Sequence, residues 1–402
     1  MKYSPDEIMQ FITEEDVKFI RLAFCDIYGN QKNVSIMPNE IEKAFKYGVS
    51  IDASAVTGCN CEVHSDLFLR PDASTICVLP WRPEHGKVVR MFCDITYQNG
   101  DIFELDARNI LKKAIKDAKE KGYSFKFGTE MEFYLFEADE KGNKTDIPFD
   151  NAGYMDIAPA DKGENVRRDI CLTLEKMGIE SEGSHHQTGP GQNEIDFKYS
   201  DPLTCADNAI TFKYVVNTIS ARHGVCADFS PKPIADNPGN GMHINISVDG
   251  QMTDENIKYI IGGMLDRISD ITVFLNRVED SYTRFGTFKA PKFISWSKEN
   301  RSQLVRVPAA PTLNKRVELR SPDPMANPYV AYSLLIYAVL EGVLNKKEPE
   351  QAIDKDLFCA SEQETKGLKT LPLDLDSAKN KALNSDFVKK YLPSAIIENY
   401  CK

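Results

Sequence analysis

Apolar and polar positions along the chain fall into two regimes. Between residues 17 and 95 the apolar runs are short: VKFIRLAF and NVSIM flank a turn from Asp26 to Gln31, and TICVLP and VVRMFCDI follow. Alternation over such lengths predicts strands, and only Pro38 to Tyr47 reads as a helix, so the region is predicted to be a small β-rich unit. Asp52, among the small residues of GVSIDASAVTG, is predicted to lie in a loop. The turn-rich YQNGD, 97–101, is a linker candidate. Beyond it the apolar spacing lengthens to helical. Helices are predicted over Asp106 to Lys121, stopped by Gly122, and over Glu164 to Met177, Pro202 to His223 and Asp254 to Val278, with strands between them.

Several of those strands carry chemistry on one face. In GTEMEFYLF, 128–136, Glu130, Glu132 and Tyr134 alternate with Met131, Phe133 and Leu135. Side chains alternate across a strand, so the two carboxylates share a face roughly 7 Å apart. In GQNEIDF, Gln192, Glu194 and Asp196 alternate with Asn193, Ile195 and Phe197. In KPIADNPGNGMHINIS, 232–247, a Gly-Asn-Gly turn feeds a strand with His243, Asn245 and Ser247 on one side and Ile244 and Ile246 on the other. Gly239 and Gly241 let backbone N–H groups approach a ligand closely. In the strand from Arg316 to Arg320, Arg316, Glu318 and Arg320 oppose Val317 and Leu319. SYTRFGTFKAP, 281–291, lacks periodicity and reads as a mobile loop.

Composition narrows the chemistry. A chain of 402 residues with 42% hydrophobic content exceeds the usual single domain. The net charge of −11 argues against a duplex nucleic-acid binder. The amino-terminal residues have no apolar signal region, and the longest apolar stretch, Ala331 to Leu340, is too short to span a bilayer, so a cytoplasmic protein with no membrane partner is expected. Ten cysteines without C-x-x-C spacing suit reduced thiols. Cys59, Cys61 and His64 offer half a zinc site, with no second cluster to complete it.

Burying Glu130, Glu132, Glu194, Glu318 and His243 beside Arg301, Arg306, Arg316 and Arg320 is prohibitive unless the charges are paired. Hard divalent cations answer the carboxylates and anions answer the arginines. A metal–nucleotide complex supplies both; an internal salt-bridge network is the alternative that needs no ligand.

The residues resemble the glutamine synthetase family, ATP-dependent ligases that join ammonia to the γ-carboxylate of glutamate. Five blocks carry the resemblance: Lys232 to Ser247, HH-x-x-x-x-GQNE at 185–194, NRS-x-x-x-R-x-P at 300–308, R-x-E-x-R at 316–320 and PDP-x-x-NPY at 322–329. The resemblance implies an α+β fold: a β-grasp domain, residues 1–97, followed by a catalytic domain, 98–402, whose curved antiparallel sheet forms half a barrel. It implies a homo-oligomeric double ring, a dodecamer, in which one subunit's small domain completes its neighbour's site. It also implies two Mg²⁺ or Mn²⁺ ions per site: Glu132, Glu194 and Gln187 on one, Glu130, His243 and Glu318 on the other. Gly239, Arg284 and Arg320 would bind glutamate, while Asn245, Ser247, Arg306 and Arg316 would hold ATP and its phosphates. Arg301 would act on the transferring phosphoryl group, and Asp52 would take a proton from ammonium.

Three positions depart from the family pattern. Gln187 stands where the family has a third carboxylate on the first metal; its carbonyl is expected to coordinate instead, more weakly. Lys289 stands nearest the glutamate of the family's flap, and residues 281–298 contain no carboxylate. IDASA alters the loop around Asp52. Three readings follow: glutamine formation, γ-glutamyl transfer to another amine, and a nucleotide- or glutamine-binding regulatory homologue without turnover.

Overall fold

A computed structural model describes residues 3–59, 65–82, 85–311 and 315–402. The first unit opens with α1 (Pro5–Glu14), where Ser4 and Glu7 form a reciprocal capping box that satisfies the free N–H groups of the first turn. It continues through β1 (Val17–Cys25), β2 (Gln31–Ile36), α2 (Ile41–Tyr47), β3 (Val49–Asp52), β4 (Asp66–Pro71), β5 (Cys77–Val78) and β6 (Lys87–Thr96). These strands form one sheet in the order β2-β1-β6-β4-β3, with β5 on β6 and a parallel β1–β6 pair. The predicted helix from Pro38 divides into a 3₁₀ turn, Pro38–Glu40, and α2. TICVLP contributes only the two residues of β5. Asp52 ends β3 rather than lying wholly in a loop, and its carboxylate caps the 3₁₀ turn that follows. Of the proposed zinc ligands, Cys61 and His64 lie outside the described residues, and no disulfide joins any pair of described cysteines.

The second unit comprises α3 (Ala107–Glu120), β7 (Phe125–Ala138), β8 (Lys144–Pro148), α4 (Glu164–Lys176), β9 (Ser181–His186), β10 (Gln192–Phe197), α5 (Pro202–Arg222), β11 (Val225–Asp228), β12 (Met242–Val248), α6 (Asp254–Leu275), α7 (Glu279–Thr283), β13 (Trp296–Lys298), β14 (Val305–Val307), β15 (Val317–Leu319) and α8 (Pro328–Leu344). Four short helices close the chain: α9 (Glu362–Thr365), α10 (Leu375–Asn384), α11 (Asp386–Tyr391) and α12 (Ser394–Cys401). Among the described residues nine strands curl into a half-barrel in the order β13-β14-β15-β12-β7-β10-β9, with β8 and β11 on β7, and of these pairs only β13–β14 is parallel. The 281–291 segment is not all loop, since α7 reaches Thr283.

The apolar faces anticipated for these strands form the core. Met131, Phe133, Ile195, Ile244, Ile246, Val317 and Leu319 are all fully buried. Phe133 meets Phe212 of α5, and Phe127 meets Tyr332 of α8. The apolar run Ala331 to Leu340 is the middle of α8, which is buried on all sides. Helices α6 and α8 approach so closely that a Cβ on Gly263 would lie 2.3 Å from the Ala338 carbonyl oxygen. Among the described residues no helix is long and apolar enough to cross a membrane.

Among the described residues Arg108 is the most heavily paired side chain at the junction of the two units, beside hydrogen bonds such as Arg90 to Thr211 and Asn327 to the Ile27 carbonyl. Arg108, near the start of α3, donates to Asp72 (2.9 Å) and Asp94 (2.9 Å) of the first unit and to Asp207 of α5 through two nitrogens, at 3.1 and 2.9 Å. These carboxylates overcome the effect of burial and hold Arg108 well above its usual pKa. A cleft of about 910 Å³ borders this junction, but Arg108 within it is already paired.

Candidate functional site

Strand register brings the charged residues together. Five neighbouring strands, β14-β15-β12-β7-β10, present them on the face opposite the core. Glu194 lies across from Glu132, Asp196 and His243 both lie across from Glu130, and Glu318 lies across from both Asn245 and Arg306. Directly opposed residues have Cβ atoms about 5 Å apart, so the register alone makes one charged wall. Its shape is a cavity of about 680 Å³ lined by Glu130, Glu132, Gln187, Glu194, Asp196, Gly239, His243, Arg284, Lys289, Arg301, Arg306, Arg316 and Arg320. Ser247 lines an adjoining cleft of about 720 Å³, and Arg316 borders both spaces. Asp52 is on neither lining; it is exposed, and Ser54 donates to it from its backbone N–H (3.0 Å) and hydroxyl (2.6 Å), lowering its pKa.

The acidic end of the cavity offers a cation seat. Ligand atoms from Glu130, Glu194 and His243 lie within 4.8 Å of one another. This oxygen and imidazole set, with Glu194 and His243 buried and Glu130 half-buried, fits a divalent cation. Burial opposes ionisation of Glu130, yet hydrogen bonds from His243 (3.2 Å) and Asn245 (2.8 Å) hold it down at about 2. Burial likewise opposes ionisation of Glu194, and His185, 3.3 Å away, lowers it. Burial and the neighbouring Glu194 raise Glu132. Burial together with Glu194 and Glu130 pushes Asp196 up to about 9.

The basic end faces it. Glu318, fully buried, accepts from Arg306 (2.6 Å) and Arg320 (2.5 Å), and its other near neighbour is His243 at 3.7 Å. Arg316 donates to Asn245 at 3.1 Å. Arg284 is buried beside Asp323, and its Nε has no partner among the described residues. Gly239 packs against that arginine so tightly that a Cβ would sit 2.4 Å from the Pro231 carbonyl oxygen and 2.6 Å from Arg284 Cγ. The glycine loop is held by the Tyr134 hydroxyl, which donates to the Pro238 carbonyl at 2.6 Å.

One side chain stands differently from expectation, and a second makes a contact the sequence did not suggest. The carbonyl of Gln187 turns away from the cation seat and accepts from the Thr188 N–H at 2.9 Å, while its NH₂ group donates to Glu132 (2.9 Å) and Glu194 (2.6 Å). Lys289 places its ammonium 4.6 Å from the centre of the Tyr154 ring, and Tyr154 packs edge-on against His185. Neither Tyr154 nor His185 was singled out from the sequence. The paired histidines at 185–186 were visible as a motif, but the side of β9 from which His185 reaches Glu194 depends on register.

Residues 16–98 match the family described as glutamine synthetase, beta-Grasp domain, and residues 104–402 match glutamine synthetase, catalytic domain. The chain belongs to the glutamine synthetase family. Within that family it is 44% identical to a glutamine synthetase of Clostridium saccharobutylicum, covering 99% of this chain and 94% of the relative. It is 41% identical to one of Methanosarcina mazei, covering 98% and 92%. Among solved structures, a GmaS/ADP complex superposes with a TM-score of 0.88 at 25% identity, covering all of this chain and 94% of the other. Family membership accounts for the position of the charged wall: ATP and divalent-cation chemistry requires that both signs of charge converge on one cavity.

Proposed function

We propose that the chain forms glutamine from glutamate and ammonia, driven by ATP, through a γ-glutamyl phosphate. The observation that carries this reading is the single cavity in which Glu130, Glu194 and His243 face Arg284, Arg301, Arg306, Arg316 and Arg320. A carboxylate is a poor acyl donor until it is phosphorylated, and the phosphoryl group in flight carries charge that guanidiniums stabilise. Arg316, at the junction of the two clefts, together with Arg306, Asn245 and Ser247, is assigned to ATP. Arg301 is assigned to the transferring phosphoryl group. Arg284, with its unpartnered Nε, Arg320 and the backbone at Gly239 are assigned to the glutamate. Glu130, Glu194 and His243, flanked by Glu132 and Glu318, are assigned to a divalent cation, Mg²⁺ or Mn²⁺, which neutralises phosphate charge when bound.

Asp52, outside its own chain's cavity, is assigned to the neighbouring subunit's site, where it would accept a proton from ammonium. That assignment requires a homo-oligomer, for which a double ring of twelve is the family form. The division between the units is placed at 97/98, between the end of β6 and the start of α3. Cytoplasmic location is part of the same reading.

Lys289 favours a second reading, γ-glutamyl transfer to another amine, because a cation in the flap repels ammonium. ADP release with glutamate and ATP, scanned over ammonium and a panel of primary amines, separates the two. Release dependent on ammonium supports glutamine formation. Release only with a larger amine supports the second reading, and no release with any amine overturns both in favour of a regulatory homologue.

A further inference from the structure

The Gln187 amide can be oriented without ambiguity. Its NH₂ group carries two hydrogens and has two carboxylate acceptors, Glu132 Oε1 at 2.9 Å and Glu194 Oε2 at 2.6 Å. Its oxygen accepts from the Thr188 backbone N–H at 2.9 Å. Turning the amide over would set its oxygen against two carboxylates and its NH₂ against the Thr188 N–H, so three contacts would become repulsive and only the Thr188 hydroxyl, 3.2 Å from the oxygen, would suit either orientation. The second oxygen of Glu132 accepts from the Gly241 N–H at 2.6 Å. Both oxygens of this carboxylate are therefore taken by donors of the chain itself. Glu194 and Glu132 are held together in the way a cation would hold them, but by a neutral group.

Glu318 is equally committed. Both its oxygens are taken by guanidiniums, Arg306 and Arg320, and it is fully buried. The cluster whose ligand atoms converge is Glu130, Glu194 and His243, within 4.8 Å of one another; Glu130 accepts from the His243 ring, itself a ligand of the set, and from the Asn245 amide, with no guanidinium among the described residues on it. Here one imidazole and two carboxylates converge, and Gln187 occupies the far side of Glu194.

We propose that this chain holds one divalent cation per subunit, on Glu130, Glu194 and His243, and that the Gln187 amide stands permanently where a second cation would bridge Glu132 and Glu194. The inference rests on the ligase reading only in taking the cavity as a cation site. A neutral amide supplies hydrogen bonds but no charge, so the acidic end keeps one net negative charge more than a site with a dication bridging three carboxylates. In that arithmetic, a dication with three carboxylates totals −1, whereas Gln187 with two carboxylates totals −2.

Mn²⁺ titration of the purified, metal-stripped full chain, read by loss of the free-ion electron paramagnetic resonance signal, counts the seats independently of turnover. The wild type is expected to take up one Mn²⁺ per subunit and His243→Ala none. Gln187→Glu, which restores a third carboxylate and removes the amide bridge, is expected to take up two, the second at least about tenfold tighter than any further uptake by the wild type. Two Mn²⁺ per wild-type subunit with similar affinity would overturn the single-seat inference while leaving the ligase reading untouched. No uptake at all would overturn both. If Gln187→Glu does not fold, the wild-type count still decides. Gln187→Ala, which removes the bridge without adding charge, should stay at one; a rise to two would show that the amide merely obstructs a seat already complete.

Discussion

Replacing Arg108 with methionine keeps the apolar stem and removes a guanidinium that spans the two units. Four hydrogen bonds to three carboxylates are lost, from Asp72, Asp94 and both oxygens of Asp207. Hydrogen bonds to charged groups contribute about 1.5–3 kcal/mol each, which as a simple sum of four, about 6–12 kcal/mol, would equal the whole stability of a typical domain. The sum overstates the effect because each carboxylate keeps another donor. Lys112 remains on Asp94, the Tyr329 hydroxyl on Asp207 and Ser74 on Asp72. Asp94 and Asp72 are also partly exposed, at 26% and 21%, so water relieves them. Asp207 bears the main penalty, at only 10% exposure. Breaking one buried pair costs about 3–5 kcal/mol, and the residual partners place Arg108→Met near the lower end, about 3 kcal/mol. Because the lost contacts span the two units, calorimetry should show the first unit melting as a separate, earlier transition. Hydrogen exchange should rise across β1 and β6 and not across β7 or β12. Adding Asp207→Asn to Arg108→Met removes the stranded charge and should recover part of the loss. Unfolding within about 1 kcal/mol of the wild type, or uniform loosening of both sheets, would refute the reasoning.

Other consequences are as specific. Mixing inactive Asp52→Ala chains with inactive Glu130→Ala chains should restore part of the activity, since some interfaces would pair two intact halves; verified mixed rings without recovery would remove Asp52 from the neighbour's site. Lys289→Glu replaces a cation in the cavity by an anion and should lower the KM for ammonium severalfold, with little change in the KM for ATP; loss of turnover with every amine would instead give Lys289 a positive role. Asp106, buried at the start of α3, has its carboxyl pushed up to about 6, first by burial and then by Asp94. The folded state therefore holds this proton more tightly than the unfolded chain between about pH 4 and 6. Relative to Asp106→Asn, the wild type should gain about 2 kcal/mol as pH falls from 7 to 4, and a pH-independent difference in urea unfolding would contradict it.

Alternation and motif spacing anticipated most long elements and the acidic and basic residues that line the cavity, because each depends on local periodicity or on short, ordered blocks. Glu130 and Glu132 must share a face of β7 once that stretch is extended, wherever the strand goes. The capping box of α1 was also open to the same reading, in Ser4 and Glu7, although the helix was not anticipated. Strand pairing was not legible: β7 finds β10 and β12 from far along the chain, and only their register sets Glu194 against Glu132 and His243 against Glu130. The orientation of Gln187 was decided in the same way. Sequence shows an amide where a carboxylate is expected, and coordination through its oxygen follows if a cation is assumed. In the folded chain two carboxylates and one backbone N–H surround it, and hydrogen-bond polarity leaves a single arrangement. Residue type and local period are properties of neighbours in sequence, whereas the direction in which a buried polar group donates is fixed by neighbours in space.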